Sequence, residues 1–265
     1  MNSSINDRNN QDPFEPQDQM EGTPVQDQSR VQIRFKGSKP VVTYVILGIT
    51  VIAYLFQAGS EWLYGVDIPF LYGGKINEFI IAGQYWRFFT PMLLHGSILH
   101  ILLNMYALLM LGRGLEFNFG RLRFLALYIS AGFAGNVLSF IFSPNPSLGS
   151  STAIFGLLAA EAVFVYRNKK FYGEQGKKIL INAASVAAIN LVLGLSPGID
   201  NWGHLGGLLG GILFTWFGGP IWELKGLFPS LEIDDTRSSS NTWNAAGLTI
   251  LVFGAIALVK LFFLK

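Results

Sequence analysis

The sequence contains no cysteine among its 265 residues, and Asp, Glu, Lys and Arg together make up only 14% of it. Without cysteine, the chain can build neither a disulfide framework nor a thiolate site. The scarcity of charge accompanies 51% hydrophobic residues and a mean hydropathy of +0.39. This balance excludes an ordinary soluble enzyme of this length and is typical of a helical membrane protein.

The first 39 residues have almost no apolar clusters and are rich in Asn, Asp, Gln, Pro and Ser. Such a segment cannot bury enough apolar surface to offset the entropy lost on ordering. It also lacks the basic start, the apolar core and the small-residue cleavage site of a signal peptide. We therefore expect residues 1–39 to be a disordered cytoplasmic tail.

Seven apolar runs approach the ~20 residues that cross about 30 Å of hydrocarbon. The connection between the first two, residues 58–96, is rich in aromatic residues that suit the headgroup layer, and we do not count it as a span. The prediction is an all-α polytopic membrane protein with six transmembrane helices in residues 40–222, a cytoplasmic linker over 223–242 and a seventh helix over 243–265. The spans are placed at Val41–Gln57, Ser97–Phe117, Phe124–Phe142, Ser151–Tyr166, Ile179–Gly194, Gly203–Trp222 and Trp243–Leu264.

Lysine and arginine are distributed unevenly between the two sides of these spans. Most of the 19 basic residues fall before the first span or between spans two and three, four and five, and six and seven. Because cytoplasmic loops carry the excess of Lys and Arg, the N-terminus is predicted to be cytoplasmic and the C-terminus outside. We expect a multi-pass protein of a bacterial plasma membrane.

Spans two, four and six then enter the membrane from the outer face, and each begins with polar residues. Their first residues read "HGSILHILLN", "GSSTAIFG" and "WGHLGGLLGG", and they contain every histidine of the chain: His95, His100 and His204. Ionisable groups are costly in a membrane and are often functional there. We therefore expect three helices to bring polar groups together at one depth.

Each of these residues also has a structural interpretation. Membrane hydroxyls usually bond back to the backbone or help helices pack, and Ser150 suits a helix N-cap. His100 and Asn104 lie four residues apart on one helical face, where they could join two helices or donate to a developing oxyanion. Asp200 precedes His204 by four residues and is more typical of a cap than of a catalytic triad.

The glycines around His204 primarily indicate close packing of span six against another helix. Gly203, Gly207 and Gly211 share one face of span six, and Gly206 and Gly210 share another. Small residues let membrane helices approach closely, and we expect the partner to be span four, through Ala153 and Gly156. Such an approach would also bring His204 within hydrogen-bonding distance of a serine on another helix.

These motifs resemble the rhomboid family of intramembrane serine proteases. The resemblance rests on Trp86-Arg87, on "HGSILHILLN" from His95, on "GRGLEFNFG" from Gly112, on "GSSTAIFGL" from Gly149 and on "GHLGGLLGG" from Gly203. It covers residues 40–222, and the extra helix resembles the six-plus-one arrangement of one rhomboid class. It implies a rhomboid-like six-helix core plus a C-terminal seventh transmembrane helix.

The resemblance also implies roles for individual residues. The nucleophile falls on Ser151 and the general base on His204, which form a dyad without metal or cofactor. The oxyanion groups fall on His100, Asn104 and Gly149. Supporting positions are His95, Phe155, Arg87 and Glu116. One departure is Thr152, where the family often has glycine; its bulk could narrow the site, and the sequence leaves this effect open.

The implied partners are single-span membrane proteins, cut near the outer end of their transmembrane segment, and membrane lipid, with no nucleic acid. The sequence leaves the oligomeric state open. The alternative is a catalytically inert relative that binds membrane helices. A transporter is a third possibility, weakened because the spans hold no paired carboxylates and no duplicated pattern of broken segments.

Overall fold

The computed structural model describes residues 32–35, 37–228 and 230–264, and the helices in this part form one bundle. They are α1 (Val41–Tyr64), α2 (Ile68–Gly73), α3 (Asn77–Ile81), α4 (Ile98–Phe119), α5 (Arg121–Phe142), α6 (Ser151–Arg167), α7 (Gly173–Leu193), α8 (Asn201–Gly218) and α9 (Ser239–Leu264). Short 3₁₀ turns lie at Tyr85–Phe88, Thr90–Leu93 and Lys169–Phe171. The described residues also form three strands, β1 (Gln32–Phe35), β2 (Trp222–Leu227) and β3 (Ser230–Asp235). The chain is thus a multi-pass, all-α integral membrane protein with a small sheet at one end of the bundle.

Five of the described helices are long and apolar enough to cross a membrane: α1, α4, α5, α7 and α9. The other two predicted spans, α6 and α8, do not reach that standard of length and hydropathy. Helix α6 has only 17 residues, and α8 contains glycines, a histidine and an asparagine. Both pack against α5, which is itself mostly buried. Because other helices cover much of their surface, they need less apolar surface.

The predicted spans and the helices differ mainly at their ends. Helix α1 continues seven residues beyond the predicted end at Gln57, to Tyr64. Helix α7 begins six residues before the predicted start at Ile179, and α8 ends at Gly218 rather than Trp222. Between α4 and α5 the chain turns at Gly120 alone, whose φ of +78° favours glycine.

The connection between α1 and α4 is confirmed as not being a span, and a buried arginine organises it. The Arg87 side chain is 1% exposed and donates to the carbonyl oxygens of Gly74 and Leu71, at 2.6 and 2.7 Å. It also donates to Gln84 and lies 4.6 Å from the centre of the Phe79 ring. These bonds hold α2, α3 and the following 3₁₀ turns in one folded segment.

The small sheet corrects two expectations. Part of the segment expected to be disordered, Gln32–Phe35, is strand β1 and pairs in parallel with β3, while residues 1–31 lie outside the described part. The expected linker 223–242 instead contains most of the β2–β3 hairpin and the first turn of α9. Phe35 packs against Phe117 and Trp222, at ring distances of 5.2 and 4.9 Å. These contacts fix the strand to the end of α4 and to the start of β2.

Helix α8 lies between α5 and α6 at very close range because its two glycine faces leave no side chain in the way. A Cβ on Gly206 would lie 2.6 Å from the Ala134 carbonyl oxygen in α5. A Cβ on Gly207 would lie 2.9 Å from the Thr152 carbonyl carbon in α6, and one on Gly211 would lie 2.6 Å from Gly156 Cα. The predicted glycine packing against α6 is therefore present at Gly156, but the second contact is made by Thr152 and not by the expected Ala153.

Candidate active site

Ser151 and His204 meet at the mouth of the bundle. Ser151 is the first residue of α6, and His204 lies in the first turn of α8. Their Oγ and Nε2 atoms are 3.0 Å apart, which is hydrogen-bonding distance. The close approach of α6 and α8 just below them sets this distance, so the glycine packing and the polar pair are parts of one arrangement.

The His204 ring is held by stacking. The Phe155 ring lies parallel to it, with centroids 4.1 Å apart and an angle of 7° between the planes. The other ring nitrogen, Nδ1, is buried and has no hydrogen-bond partner among the described residues. Asp200 does not supply one: its carboxylate accepts from the Gly203 backbone N–H at 3.0 Å and from the Ser139 hydroxyl. Asp200 is thus the N-cap of α8 and does not complete a triad with Ser151 and His204.

The neighbouring hydroxyl of Ser150 faces another histidine. Ser150 occupies the N-cap position of α6 but makes no capping hydrogen bond with its side chain. Its Oγ lies 3.3 Å from Nε2 of His95, which is buried. The His95 ring in turn lies 5.0 Å from that of His100. Of the two adjacent serines, only Ser151 contacts His204.

The space beside Gly149 is shared by His100 and Ser151. Gly149 has a φ of +129°, which only glycine adopts readily, and its backbone N–H donates to the Pro91 carbonyl oxygen at 2.9 Å. A Cβ there would lie 2.9 Å from His100 Nε2 and 3.6 Å from Ser151 Oγ. Glycine at position 149 therefore leaves room for the His100 imidazole close to Ser151.

The start of α6 leaves backbone donors free next to this space. The first helical hydrogen bond runs from Ile154 N–H to the Ser150 carbonyl oxygen, so the N–H groups of residues 151–153 have no partner within the helix. They also carry the partial positive charge of the helix N-terminus. Helices α4 and α8, in contrast, are capped by the side chains of Ser97 and Asp200.

Asn104 lies one turn after His100, and both residues line a cavity next to Ser151 and His204. Its Nδ2 donates to the His100 carbonyl oxygen at 2.9 Å, within α4. This bond fixes the orientation of the side-chain amide and uses one of its two N–H donors. The second N–H remains available to a group in the cavity.

A cavity of about 650 Å³ opens in front of Ser151 and His204. Its walls are apolar side chains of α4 and α6, such as Leu103 and Leu158, together with Val186 of α7. Near the dyad it is bordered by the polar residues Ser143, Asn145, Asn190 and Asp200. The cavity therefore has a polar end next to Ser151 and His204 and an apolar end between α4 and α7.

Thr152 does not narrow this cavity. Its side chain is buried, and its Cγ2 faces α5 and α8, where Cβ atoms on Gly135 and Gly203 would lie 2.9 and 3.0 Å away. Because α6 turns about 100° per residue, consecutive side chains point in different directions. Ser151 faces the cavity and Thr152 faces the helix packing, so the bulk of Thr152 lies outside the cavity.

Two of the predicted supporting residues lie apart from the dyad. Arg87 organises the segment between α1 and α4, as described above. Glu116, near the far end of α4, is fully buried, and its carboxylate accepts from the backbone N–H groups of Val42 and Thr43 at 2.8 and 2.7 Å. It also accepts from the Thr43 hydroxyl at 2.8 Å. Glu116 therefore caps the start of α1.

One site residue was missed by the sequence analysis. Lys75 is fully buried and donates to the carbonyl oxygens of Ser143 and Asn145, at 2.9 and 2.8 Å. Its backbone also pairs with that of Ser147. Lys75 thus holds the loop before α6 that borders the cavity. The sequence feature that could have indicated this role is a lysine placed between apolar and aromatic residues.

In the described ranges, no cluster of three His, Asp or Glu side chains has the arrangement of a metal site. The polar groups near Ser151 and along the cavity are the imidazoles of His204 and His100, the Asn104 amide and backbone N–H groups. This set can activate a hydroxyl, accept and return a proton, and stabilise an oxyanion.

Comparison with known proteins identifies the family to which this chain is similar. A family model described as the Rhomboid domain matches residues 82–221. The chain is 36% identical over 178 residues to Rhomboid protease GluP of Bacillus subtilis (strain 168), which corresponds to 67% of this chain and 34% of that protein. It is 35% identical over 160 residues to RHOMBOID-like protein 9, chloroplastic, of Arabidopsis thaliana, covering 60% of this chain and 37% of that protein. The matched regions span little more than a third of the length of these two relatives.

Proposed function

This chain belongs to the rhomboid family, and we propose that it is a serine endopeptidase that cuts other membrane proteins within the bilayer. The observation that carries the proposal is the 3.0 Å contact between Ser151 Oγ and His204 Nε2 at the polar end of the cavity. A serine beside a histidine that can take its proton is the arrangement of nucleophilic acyl transfer.

In the proposed mechanism, His204 Nε2 takes the hydroxyl proton as Ser151 Oγ attacks the scissile carbonyl carbon. His204 then returns the proton to the leaving amine, and water hydrolyses the resulting acyl-enzyme. Because Nδ1 has no described partner, the stacked ring of Phe155 takes the place of a third group in orienting the imidazole.

The negative charge that develops on the carbonyl oxygen needs donors in place before the reaction. The free N–H groups at the start of α6 and the His100 imidazole both border the space beside Gly149. We propose that the oxyanion occupies this space, and that Asn104 adds its second N–H from the cavity wall.

The cavity also suggests how the substrate binds. A helical substrate hides its carbonyl groups in its own hydrogen bonds, so the segment to be cut must unwind. The polar end of the cavity can satisfy the freed backbone groups, and its apolar end between α4 and α7 can hold the side chains. We propose single-span membrane proteins as substrates, cut near the outer end of their span.

The proposed orientation places the N-terminus in the cytoplasm and the C-terminus outside. Helices α4, α6 and α8 begin at the same end of the bundle as the cavity, while the exposed residues Lys169, Lys170, Lys177 and Lys178 lie at the other end. Basic residues mark the cytoplasmic side. The site would then open towards the outer face, in the plasma membrane of a bacterium.

The test is co-expression with a panel of model single-span substrates. Ser151→Ala and His204→Ala are expected to abolish cleavage, whereas Ser150→Ala keeps part of it because Ser150 faces His95 instead of His204. A fluorophosphonate probe should label the wild type and Ser150→Ala but not Ser151→Ala. A folded wild type that binds a substrate helix without cutting it, and that the probe does not label, would indicate the inert relative instead.

A further inference from the structure

Two arginines converge on a single carbonyl oxygen at the end of the bundle away from the dyad. Arg167, the last residue of α6, donates from Nη1 to the Trp216 carbonyl oxygen at 2.7 Å. Arg237, just before α9, donates from Nη2 to the same oxygen at 2.8 Å and from Nη1 to the Gly219 carbonyl oxygen at 2.9 Å. The two nitrogens that donate to the Trp216 oxygen are therefore at most about 5.5 Å apart.

Negative charge is scarce around this pair. Neither Arg167 nor Arg237 has a carboxylate within ion-pairing distance among the described residues. The nearby Asp235 pairs with Arg123 at 2.6 Å, and its other oxygen accepts from the backbone N–H groups of Ile221 and Arg237. Burial and the charges of Arg167 and Arg123 lower the pKa of Arg237, while Asp235 acts in the opposite direction. The site thus carries excess positive charge.

The same site has an aromatic side that faces outward. The Trp216 side chain is 44% exposed and the Tyr166 side chain 54%, and their rings stack at 6.5 Å. The Arg167 guanidinium lies 4.8 Å from the centre of the Trp216 ring. Exposed tryptophan and tyrosine at the ends of membrane helices lie at headgroup depth. The charge excess is therefore placed where lipid phosphates are found.

Helix capping does not account for this arrangement. Arginine often donates to the last carbonyls of a helix, and one guanidinium would satisfy the Trp216 oxygen. Here two like charges share that oxygen, and they use only three of their ten N–H donors on it and on Gly219. The remaining donors form two planar forks, which match the geometry of a phosphate.

We propose that Arg167 and Arg237 form a binding site for the phosphate of an anionic membrane lipid, with Trp216 packing against its glycerol and upper acyl chain. The lipid belongs to the leaflet at the end of the bundle where α6 and α8 finish. A negative phosphodiester supplies the missing charge and accepts from both forks, whereas the choline of a zwitterionic lipid would return positive charge to the site. This proposal does not depend on the proteolytic function.

The test is native mass spectrometry of the full chain in detergent, titrated with phosphatidylglycerol or with phosphatidylcholine. The wild type should bind the first more tightly. Arg167→Gln/Arg237→Gln should bind phosphatidylglycerol about 30-fold more weakly, because each cation at a membrane surface contributes roughly a fivefold gain in affinity for anionic lipid. The matched control, Lys177→Gln/Lys178→Gln, removes two exposed charges at the same end and should change binding less than about threefold.

A second variant distinguishes weaker lipid binding from a loss of folding. Arg167→Lys/Arg237→Lys keeps both charges and can still donate to Trp216, but an ammonium cannot bind a phosphate through two parallel donors. It should stay folded and lose part of the preference. Equal binding of the two lipids by the wild type, equal losses in the glutamine pair and the control, or full binding in the lysine pair would each overturn the proposal. Inorganic phosphate that competed as effectively as the lipid would assign the site to a soluble anion instead.

Discussion

Adding a single methyl group at Gly207 should separate the two halves of the proposed dyad. In Gly207→Ala, the new Cβ would lie 2.9 Å from the Thr152 carbonyl carbon and closer still to its oxygen. Ordinary contacts of this kind need roughly 3.5 Å, so α6 and α8 must move apart by about 1 Å or more. Thr152 adjoins Ser151, and Gly207 lies one turn from His204. The 3.0 Å contact between Oγ and Nε2 would then exceed hydrogen-bonding distance.

The expected cost has two parts that can be measured separately. Overpacking of a close helix contact costs about 1–3 kcal/mol of stability. A 1 Å misplacement of a reacting group costs about 10²-fold in rate. We therefore expect Gly207→Ala to melt at a lower temperature in detergent and, in the protein that remains folded, to cleave a fluorogenic single-span substrate about a hundredfold more slowly.

Gly114→Ala in α4 is the matched control, because a Cβ there would meet no atom within 4 Å. It makes the same chemical change in a helix and should keep wild-type activity, with stability unchanged or slightly higher. The reasoning would be refuted if Gly207→Ala melted early but retained normal specific activity, because the spacing of α6 and α8 would then not control the dyad.

Three further predictions concern individual side chains. Removing the His100 donor in His100→Ala should lower kcat by about 10²-fold, and Asn104→Ala should lower it less. The double variant should lose less than the product of the two factors. Kinetics and melting curves on the purified enzyme test this, because a purely structural role would show as lost stability at normal kcat. Glu116→Gln should lower stability by about 1–3 kcal/mol, because the charged cap of α1 is lost, while leaving kcat unchanged; a large drop in kcat would contradict the capping role. Burial lowers the pKa of Lys75 from 10.5 to about 8. Between these pH values the unfolded chain therefore holds a proton that the folded chain lacks, so wild-type stability should rise relative to Lys75→Met over pH 8–10.5. A constant difference in melting temperature between the two proteins would contradict this.

The parts of the site that the sequence predicts are those whose position follows from helical spacing. Gly203, Gly207 and Gly211 repeat every four residues, so a single close contact of α8 with another helix could be expected from spacing alone. Which serine His204 would reach could not, because Ser150 and Ser151 differ by only 100° around the helix axis. The family resemblance pointed to Ser151, and the structure places that hydroxyl rather than that of Ser150 next to the imidazole.

What the sequence does not predict depends on contacts between distant segments. Lys75 is separated from Ser143 by 68 residues, and its carbonyl partners belong to a loop without any periodic pattern. Strand β1 is four residues long and forms through pairing with β3, almost 200 residues later in the chain. Local propensity is weak for such a short strand, and tertiary contacts decide whether it forms.

The two helices that do not reach the hydropathy and length of ordinary spans are the two that carry Ser151 and His204. In α8 the residues that lower the hydropathy include the glycines and His204 itself, and α6 has only 17 residues. Both features require neighbours, since a glycine-rich helix with a histidine would be costly in contact with lipid. Helices α1, α4, α5, α7 and α9 supply the apolar length, and they leave α6 and α8 free to be short, polar at their first residues and closely packed. Weak hydropathy within a strongly apolar chain is therefore itself a pointer to the site, because a helix covered largely by other helices can depart from the composition that lipid demands.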